Sequence, residues 1–452
     1  MFHVQFGMYK YENMTYYAPS QNVELPASIA PYVAGILGLN NITIAYPNIE
    51  TLGEVKLVNG VPRLVGPTSI KVEQGYLNFT YPEYIYTPLQ LEGAYGLLPL
   101  YKLGLYGQNE TIGIVDAFGN PVITLTLQSF DEDYAHLPNP PEFNVLFYAN
   151  ASTISLPPSP GEIESIVGWY LESTLDVEYA HTMAPGANIL LVYTPFPDNE
   201  LFSAEGFIAE YHLANVISLS WGAPESCIIQ SGTNILALNE MFAAIAAEGI
   251  QVFAASGDWG VYNVLLGVHS ITFPASSPFV TAVGGTSLFM KAVSSYPNAT
   301  MEYLYQTGWG DYFANFTAEG YTYTLHYTFA GSGGGESHIF IKPFYQSGLP
   351  YTNRTTPDIA MEADVYTGVI IVIAPQPENL IGLVVGGTSL ATPLTAGIAA
   401  IIDQYYNNTL GFLNPYLYRL YFMNDKVPYK YALLPTYGSS PINISGFFAP
   451  YF

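Results

Sequence analysis

Ser389 lies in Gly387-Thr388-Ser389-Leu390-Ala391-Thr392-Pro393, a turn that runs into a small-residue segment, Ala396-Gly397-Ile398-Ala399-Ala400. A closely packed helix start, with Pro393 expected in its first turn, is a rigid mount for a serine nucleophile. A serine hydroxyl is a weak nucleophile and needs a base beside it. Histidine is the common base, but His136, His181 and His212 lack the flanking glycines of a catalytic histidine segment. They read as structural, with His181 able to tune nearby groups. The chain offers carboxyls instead. Glu172 and Asp176 fall in Leu171-Glu172-Ser173-Thr174-Leu175-Asp176, a segment of helical character. Their i, i+4 spacing puts both on one face. Asp258 ends a Ser256-Gly257-Asp258 turn after the apolar run Gln251-Val252-Phe253-Ala254-Ala255.

Two like charges one helical turn apart repel, and more so when desolvated. A buried carboxyl pair solves this by sharing a proton, which splits the two pKa values. Such a pair can act as a general base in acid, where an imidazole of pKa about 6.5 is protonated and useless. A protonated Asp258 can donate a hydrogen bond to a developing oxyanion. Each feature alone has a plainer reading. Glu172, Asp176 and Glu178 make a solvated acidic face, and Asp258 caps a turn. Gly-Thr-Ser also occurs at 285–287, before Leu288-Phe289-Met290-Lys291; Ser287 reads as the end of a strand.

These residues need a scaffold. Thr111 to Val115, Asn188 to Val192, Asn215 to Leu219, Ile250 to Ala255, Phe279 to Val283 and Val369 to Ile373 are apolar runs without alternation. Runs apolar on both faces mark buried parallel strands. Segments such as Ala204 to Leu213 and Ala237 to Ala247 supply crossover helices. The pattern predicts an α/β fold with a doubly wound parallel sheet and flanking helices. Ligands bind beyond the carboxyl ends of such strands. Asp116, Ser220 and Asp258 each follow one, so they should converge on one edge.

The N-terminal part reads differently. Val4 to Tyr17 suits a strand or hairpin, and Pro26 opens an expected helix through Leu37. Residues 59–85 are rich in Gly, Pro, Tyr and Thr and read as a connector. A helix is expected at Leu89 to Tyr95.

Composition narrows the function. The chain has 452 residues, of which 10% are charged, with 36 acids against 11 Lys and Arg and a net charge of −25. That balance argues against nucleic acid or an anionic membrane as partner. In acid most carboxyls would be neutral, which suits an acidic, extracellular setting. No apolar run reaches the roughly 18 residues of a membrane span. Asn-x-Ser/Thr sequons at Asn13, Asn41, Asn78, Asn109, Asn150, Asn298, Asn315, Asn353, Asn407 and Asn443 fit an exported glycoprotein. The lone Cys227 forms no internal disulfide. Met1 to Phe6 reads as a strand, not a signal peptide; any leader would lie upstream.

Taken together the motifs resemble the sedolisins, the serine-carboxyl peptidases with a subtilisin-like fold. Gly-Thr-Ser-x-x-x-Pro with Ser389 is similar to their nucleophile motif. Glu172, Asp176 and Ala184-Pro185-Gly186-Ala187 match their acid pair and its sequel, and Asp258 their oxyanion aspartate. Ser220-Trp221-Gly222, Phe273-Pro274-Ala275-Ser276-Ser277-Pro278, Ser332-Gly333-Gly334-Gly335 and Pro357-Asp358 follow in family order. The resemblance covers about 85–420. It implies an acid-active endopeptidase in which Ser389 attacks, Glu172 takes its proton, Asp176 tunes Glu172 and Asp258 holds the oxyanion. Ser220, Trp221 and Gly222 would pair with the substrate backbone. Asp116, after the first strand, is a candidate extension of the carboxyl network. Residues 1–58 resemble the end of a propeptide that inhibits its own enzyme, 59–85 a linker with the processing site, and 86–452 the peptidase domain. Substrates would be proteins or peptides. The family's calcium site is not recognisable: after Pro415 the single acid is Asp425. No cofactor or metal is expected. Two alternatives stay open, a tripeptidyl-peptidase of the same family and a catalytically inactive glycosylated surface protein on this fold.

Overall fold

The computed structural model describes residues 4–423, apart from 12–13, 38, 43, 59–60, 65–68, 73–74, 79–84, 149–159, 261, 264–267, 293–300, 320–321, 377 and 408. The elements that matter for the site are, in chain order, β1 (Tyr46–Pro47), β2 (Glu50–Val58), β3 (Thr111–Ala117), β4 (Phe143–Phe147), α1 (Pro160–Met183), β5 (Asn188–Thr194), α2 (Asn199–Glu210), β6 (Val216–Leu219), β7 (Trp221–Pro224), α3 (Ile235–Ala247), β8 (Gln251–Ala255), β9 (Thr281–Ala292), β10 (Met301–Gly308), β11 (Ile359–Glu362), β12 (Val369–Gln376), β13 (Asn379–Gly386) and α4 (Thr388–Tyr406).

An eight-stranded sheet forms the centre, in the order β10-β9-β8-β6-β3-β5-β4, with β11 beside β9. Its pairings are parallel except β9 with β10. Strand alternation explains why the runs are apolar throughout. Ile112 and Ile114 of β3, with Ile189 and Leu191 of β5, pack on one face; Val115, Leu190 and Val192 pack on the other. The first face is covered by α1 and α4, through Leu175, Met183, Leu390 and Leu394. The second is covered by α2 and α3, through Phe202, Ile208, Leu238 and Phe242. Full burial of each such side chain is worth about 1.5–3 kcal/mol. Asp198 caps α2 by accepting from Glu200 N at 2.8 Å, and Asn234 caps α3 from Ala237 N at 3.2 Å. The fold is the α/β arrangement of a mostly parallel sheet between helices expected from the sequence.

Four local expectations change. Only Ala30–Tyr32 is helical in the stretch from Pro26 to Leu37, a single 3-10 turn. Pro31 has no N–H to continue a ladder, and Gly35 lies where a Cβ would come within 2.6 Å of the Ala237 Cβ. The run at Val369 is a strand but leaves the central sheet. β12 pairs antiparallel with β13, β13 with β2, and β2 with Val61–Leu64, a separate four-stranded sheet. The connector expected at 59–85 contains strands at Val61–Leu64, Ser69–Val72 and Gly75–Asn78. Pro393 stands in the second turn of α4, not the first. β4, at the sheet edge, was not expected: Leu146 and Phe147 are exposed, so it shows no buried pattern.

Candidate active site

The nucleophile candidate and the acid pair meet because α1 and α4 touch. A Cβ on Gly397 would lie 2.6 Å from Met183 Cβ and 3.0 Å from Ala180 O, so only glycine allows this approach. Eight residues back along each helix, about 12 Å at 1.5 Å per residue, stand Ser389 and Glu172. One more turn of α1 separates Glu172 from Asp176. From the carboxyl edge of the sheet come Asp116 at the end of β3, Ser220 after β6 and Asp258 after β8. Asp116, Glu172, Asp176, Ser220, Asp258 and Ser389 are all buried. The solvated acidic face is excluded, since Glu178 is buried too and accepts from Val372 N at 3.1 Å.

Pro393 has a specific effect here. Lacking an N–H, it cannot bond the carbonyl of Ser389, four residues earlier. That carbonyl instead lies 3.2 Å from Ser220 Oγ, which is also 2.5 Å from Asp176 Oδ1. A hydroxyl has one proton to give. Both contacts are satisfied when protonated Asp176 donates to Ser220 Oγ and Ser220 donates to the Ser389 carbonyl. Burial favours the same state. It raises Asp176 well above the usual carboxyl range, helped by Asp116 and opposed by the Ser220 hydrogen bond.

Glu172 is raised most by burial and next by Asp176; the Ser389 hydroxyl favours its ionised form. The hydroxyl itself donates to Ser220 O at 2.8 Å, and neither oxygen of Glu172 has a hydrogen-bond partner among the described residues. Burial pushes Asp116 up to about 8, and neither of its oxygens has a hydrogen-bond partner among the described residues. Among the described residues none of these carboxyls, nor Asp258, has an ion-pair partner. A cluster without cations cannot be fully ionised near neutrality.

Asp258 does two things. Its Oδ1 accepts from Thr388 N at 2.8 Å and Thr388 Oγ1 at 2.7 Å, which caps the start of α4. Its Oδ2 has no partner among the described residues. Burial first, then Glu50, raises its pKa well above the ordinary value. So the turn-capping reading of Asp258 holds for one oxygen and leaves the other free.

The chain's own N-terminal segment fills the space in front of Ser389. β1 pairs antiparallel with β7, Pro47 opposite Trp221 and Tyr46 opposite Gly222. Asn48 N donates to Ser220 O at 3.2 Å, and Ser389 N donates to Asn48 O at 3.1 Å. Gly387, at φ +100°, marks the same spot: a Cβ there would lie 2.2 Å from Asn48 O and 2.6 Å from Asp258 Oδ2. Sequence reasoning named Ser220, Trp221 and Gly222 but missed Asn48 and Glu50. Their only signal was position, since Asn-Ile-Glu is no motif. Trp221 donates Nε1 to Val115 O at 2.7 Å and takes no part in the carboxyl cluster by its side chain.

The remaining candidates separate from the site. Ser287 donates to Asp364 Oδ2 at 2.6 Å inside β9. His181 does not tune the acid pair: its Nε2 lies 2.8 Å from Pro138 O and 3.6 Å from Asp131. Burial lowers it to about 4. His212 lies against Glu248. Asp425, the late acid, lies outside the described residues, as do residues 59–60, 65–68, 73–74 and 79–84 of the expected processing region.

A family model described as the subtilase family matches residues 161–434. Kumamolisin of Bacillus sp. (strain MN-32) is 30% identical over 435 residues, covering 93% of this chain and 68% of its own. The chain belongs to the sedolisin family. Sedolisin of Pseudomonas sp. (strain 101) is 28% identical, covering 91% of this chain and 63% of its own. Rat tripeptidyl-peptidase 1 is 33% identical over 282 residues, 55% of this chain and 42% of its own. Among solved structures, Pseudomonas sedolisin, a serine-carboxyl proteinase complexed with two molecules of pseudo-iodotyrostatin, aligns with a TM-score of 0.60 at 26% identity, over 74% of this chain and 85% of that one. The chain thus spans 42% to 68% of the length of these curated relatives. Sedolisin relatives are serine-type peptidases, and this chain is one of the group by sequence and by fold.

Proposed function

We propose that the protein is an acid-active endopeptidase working through an acyl-enzyme on Ser389. Ser389 Oγ attacks the scissile carbonyl and its proton passes to Glu172. The oxyanion is held by Ser389 N–H and by protonated Asp258 through Oδ2. Collapse breaks the C–N bond, and Glu172 returns the proton to the leaving amine. Water then attacks the acyl-enzyme, with Glu172 again as base. Asp176, with Asp116 behind it, sets how readily Glu172 takes a proton. Ser220, Trp221 and Gly222 pair with the substrate strand.

The observation that carries this reading is the carbonyl of Asn48, held by Ser389 N–H beside the free Oδ2 of Asp258. It is what a peptide carbonyl would do on binding. The same strand favours an endopeptidase over a tripeptidyl-peptidase. Upstream of Asn48 the chain does not stop at the third residue: Ala45 and Ile44 continue, bonded to Pro197 O at 3.3 and 2.9 Å. A cleft that admits at least five residues on that side does not count three from a free amine. Residues 44–48 in the cleft also support the N-terminal segment as an inhibitor of its own enzyme. Protein substrates, an acidic environment and export as a glycoprotein complete the proposal. Asn353 is a poor glycan acceptor, since its Nδ2 donates to Ser337 O at 2.8 Å.

The test is a pH–rate profile on denatured protein for the wild type and Glu172→Gln. Acid activity lost in the variant supports the assignment. An optimum near pH 8, or full activity in the variant, would sink it.

A further inference from the structure

Residues 44–58 divide at one peptide bond. On its upstream side the chain is laid on β7 as an added strand, from Tyr46 to Asn48. On its downstream side Ile49 packs against the main core. Glu50 then enters the four-stranded sheet, with Glu50 opposite Gly386, Thr51 opposite Val385 and Gly53 opposite Val384. β13, the partner strand, leads directly into Gly387 and the nucleophile. Strand β2 is therefore part of the catalytic body. The residues before it are held less uniformly: Met8 and Tyr32 are largely exposed and Tyr17 N donates to Asn41 Oδ1 within the segment, whereas Ile44 and Ala45, next to the cleft, are buried against the core under α2 and α3.

We infer that the Asn48–Ile49 bond is the chain's own processing site, and that the strand after it stays in the mature enzyme. The inference rests on the proposed peptidase reading of Ser389. The carbonyl of Asn48 already occupies the oxyanion position, between Ser389 N–H and Asp258 Oδ2. Ser389 Oγ and Asn48 N share the Ser220 carbonyl as acceptor, which places the hydroxyl beside the residue whose carbonyl it would attack. Attack forms the Oγ–C bond to Asn48, and the hydroxyl proton moves through Glu172 to Ile49 N as the C–N bond breaks. Water then releases Asn48 as a carboxylic acid and restores the serine hydroxyl. The products are a segment ending at Asn48 and a body beginning at Ile49. The body keeps its sheet because β2 is held by the β13 ladder on one side and Val61–Leu64 on the other. The side chain of Asn48 is buried, with Nδ2 lacking a partner among the described residues. It is an imperfect occupant, and leaving relieves an unpaired amide. This moves the boundary of the lost segment from the expected 59–85 linker to residue 48.

The experiment follows the full chain after transfer from neutral to acidic buffer, by intact mass and N-terminal sequencing. Wild type and Ser389→Ala run side by side, each also given denatured protein and a synthetic peptide of residues 44–53. Support is a wild-type body beginning at Ile49, a released fragment ending at Asn48, the peptide cut at the same bond, and no cut in Ser389→Ala. The inference is overturned if the wild type digests denatured protein while its own 48–49 bond stays intact, or if its body begins elsewhere. Cutting at 48–49 in Ser389→Ala also overturns it. If denatured protein, peptide and chain all remain uncut, the peptidase reading falls first and this inference with it.

Discussion

Asp116→Asn isolates one member of the carboxyl cluster. Asp116 is buried at the end of β3, has no hydrogen-bond partner among the described residues, and is pushed by burial from the ordinary 3.8 up to about 8. Its folded pKa is thus above its unfolded one. The folded state keeps the proton over a range in which the unfolded chain has lost it. The stabilisation is complete below about pH 4 and is lost progressively as pH rises to about 8. A shift of about four units sets a ceiling of about 6 kcal/mol at 1.36 kcal/mol per unit. Asp176 shares this titration, so one substitution removes only part of it. Asparagine is neutral at every pH and nearly the same shape. The variant should match the wild type in denaturant midpoint at pH 4 and exceed it at pH 8. Chemical denaturation at several pH values reads this directly. Stability curves that run parallel from pH 4 to pH 8 would refute the reasoning, because Asp116 would then be ionised in the fold. Asp116 also raises Asp176 and Glu172, so the same variant should move the alkaline limb of the rate profile to lower pH.

Ser389→Ala should abolish turnover while leaving the melting temperature nearly unchanged; retained turnover would point to another nucleophile. Gly387→Ala puts a methyl between Asn48 O and Asp258 Oδ2 at a φ of +100°, so kcat should fall by about 10²-fold or more, as when one oxyanion donor is lost. Wild-type kcat in that variant would remove Asp258 from the oxyanion role. Arg354→Met strands the buried Asp358, which Arg354 pairs through both guanidinium nitrogens at 2.5 Å. The expected loss is about 3–5 kcal/mol by urea denaturation, with the pH optimum unmoved; a loss below about 1 kcal/mol would mean that Gln346, Asn414 and Tyr418 suffice to hold the carboxylate.

The sheet was legible because burial on both faces makes β3, β5, β6 and β8 apolar through most of their length, with Thr111, Asp116, Asn188, Thr194 and Gln251 confined to the strand ends and Ser218 the polar residue inside β6. Glu172, Asp176, Ser220, Asp258 and Ser389 were legible because each follows a strand, opens a helix or repeats at helical spacing. What failed was context that only pairing supplies. Val369 to Ile373 is as apolar as a central strand, yet its partner is β13 in the smaller sheet. Pro26 to Leu37 has a helix start but no helix, because Pro31 and the close approach of Gly35 to Ala237 shape it instead. Asn48 carries no signature, since it is placed by the backbone of Ser220 and Ser389, which reads no side chain. His181 sits on the same helix as Asp176 but on the face toward Asp131, which an i+5 count alone does not reveal.

The antiparallel pairing of Tyr46 and Pro47 with β7 has a consequence for how such an enzyme would switch on. While residue 48 is bonded to β2, the cleft faces a tethered ligand at an effective concentration of about millimolar or higher. Once the Asn48–Ile49 bond is cut, the same strand becomes a free peptide that competes only at its own bulk concentration. Occupancy then depends on dilution. A sample activated at high protein concentration would stay partly self-blocked, and the same sample spread through a larger volume would open fully. Under the proposed cut, dilution and not cleavage alone would decide how far the cleft opens.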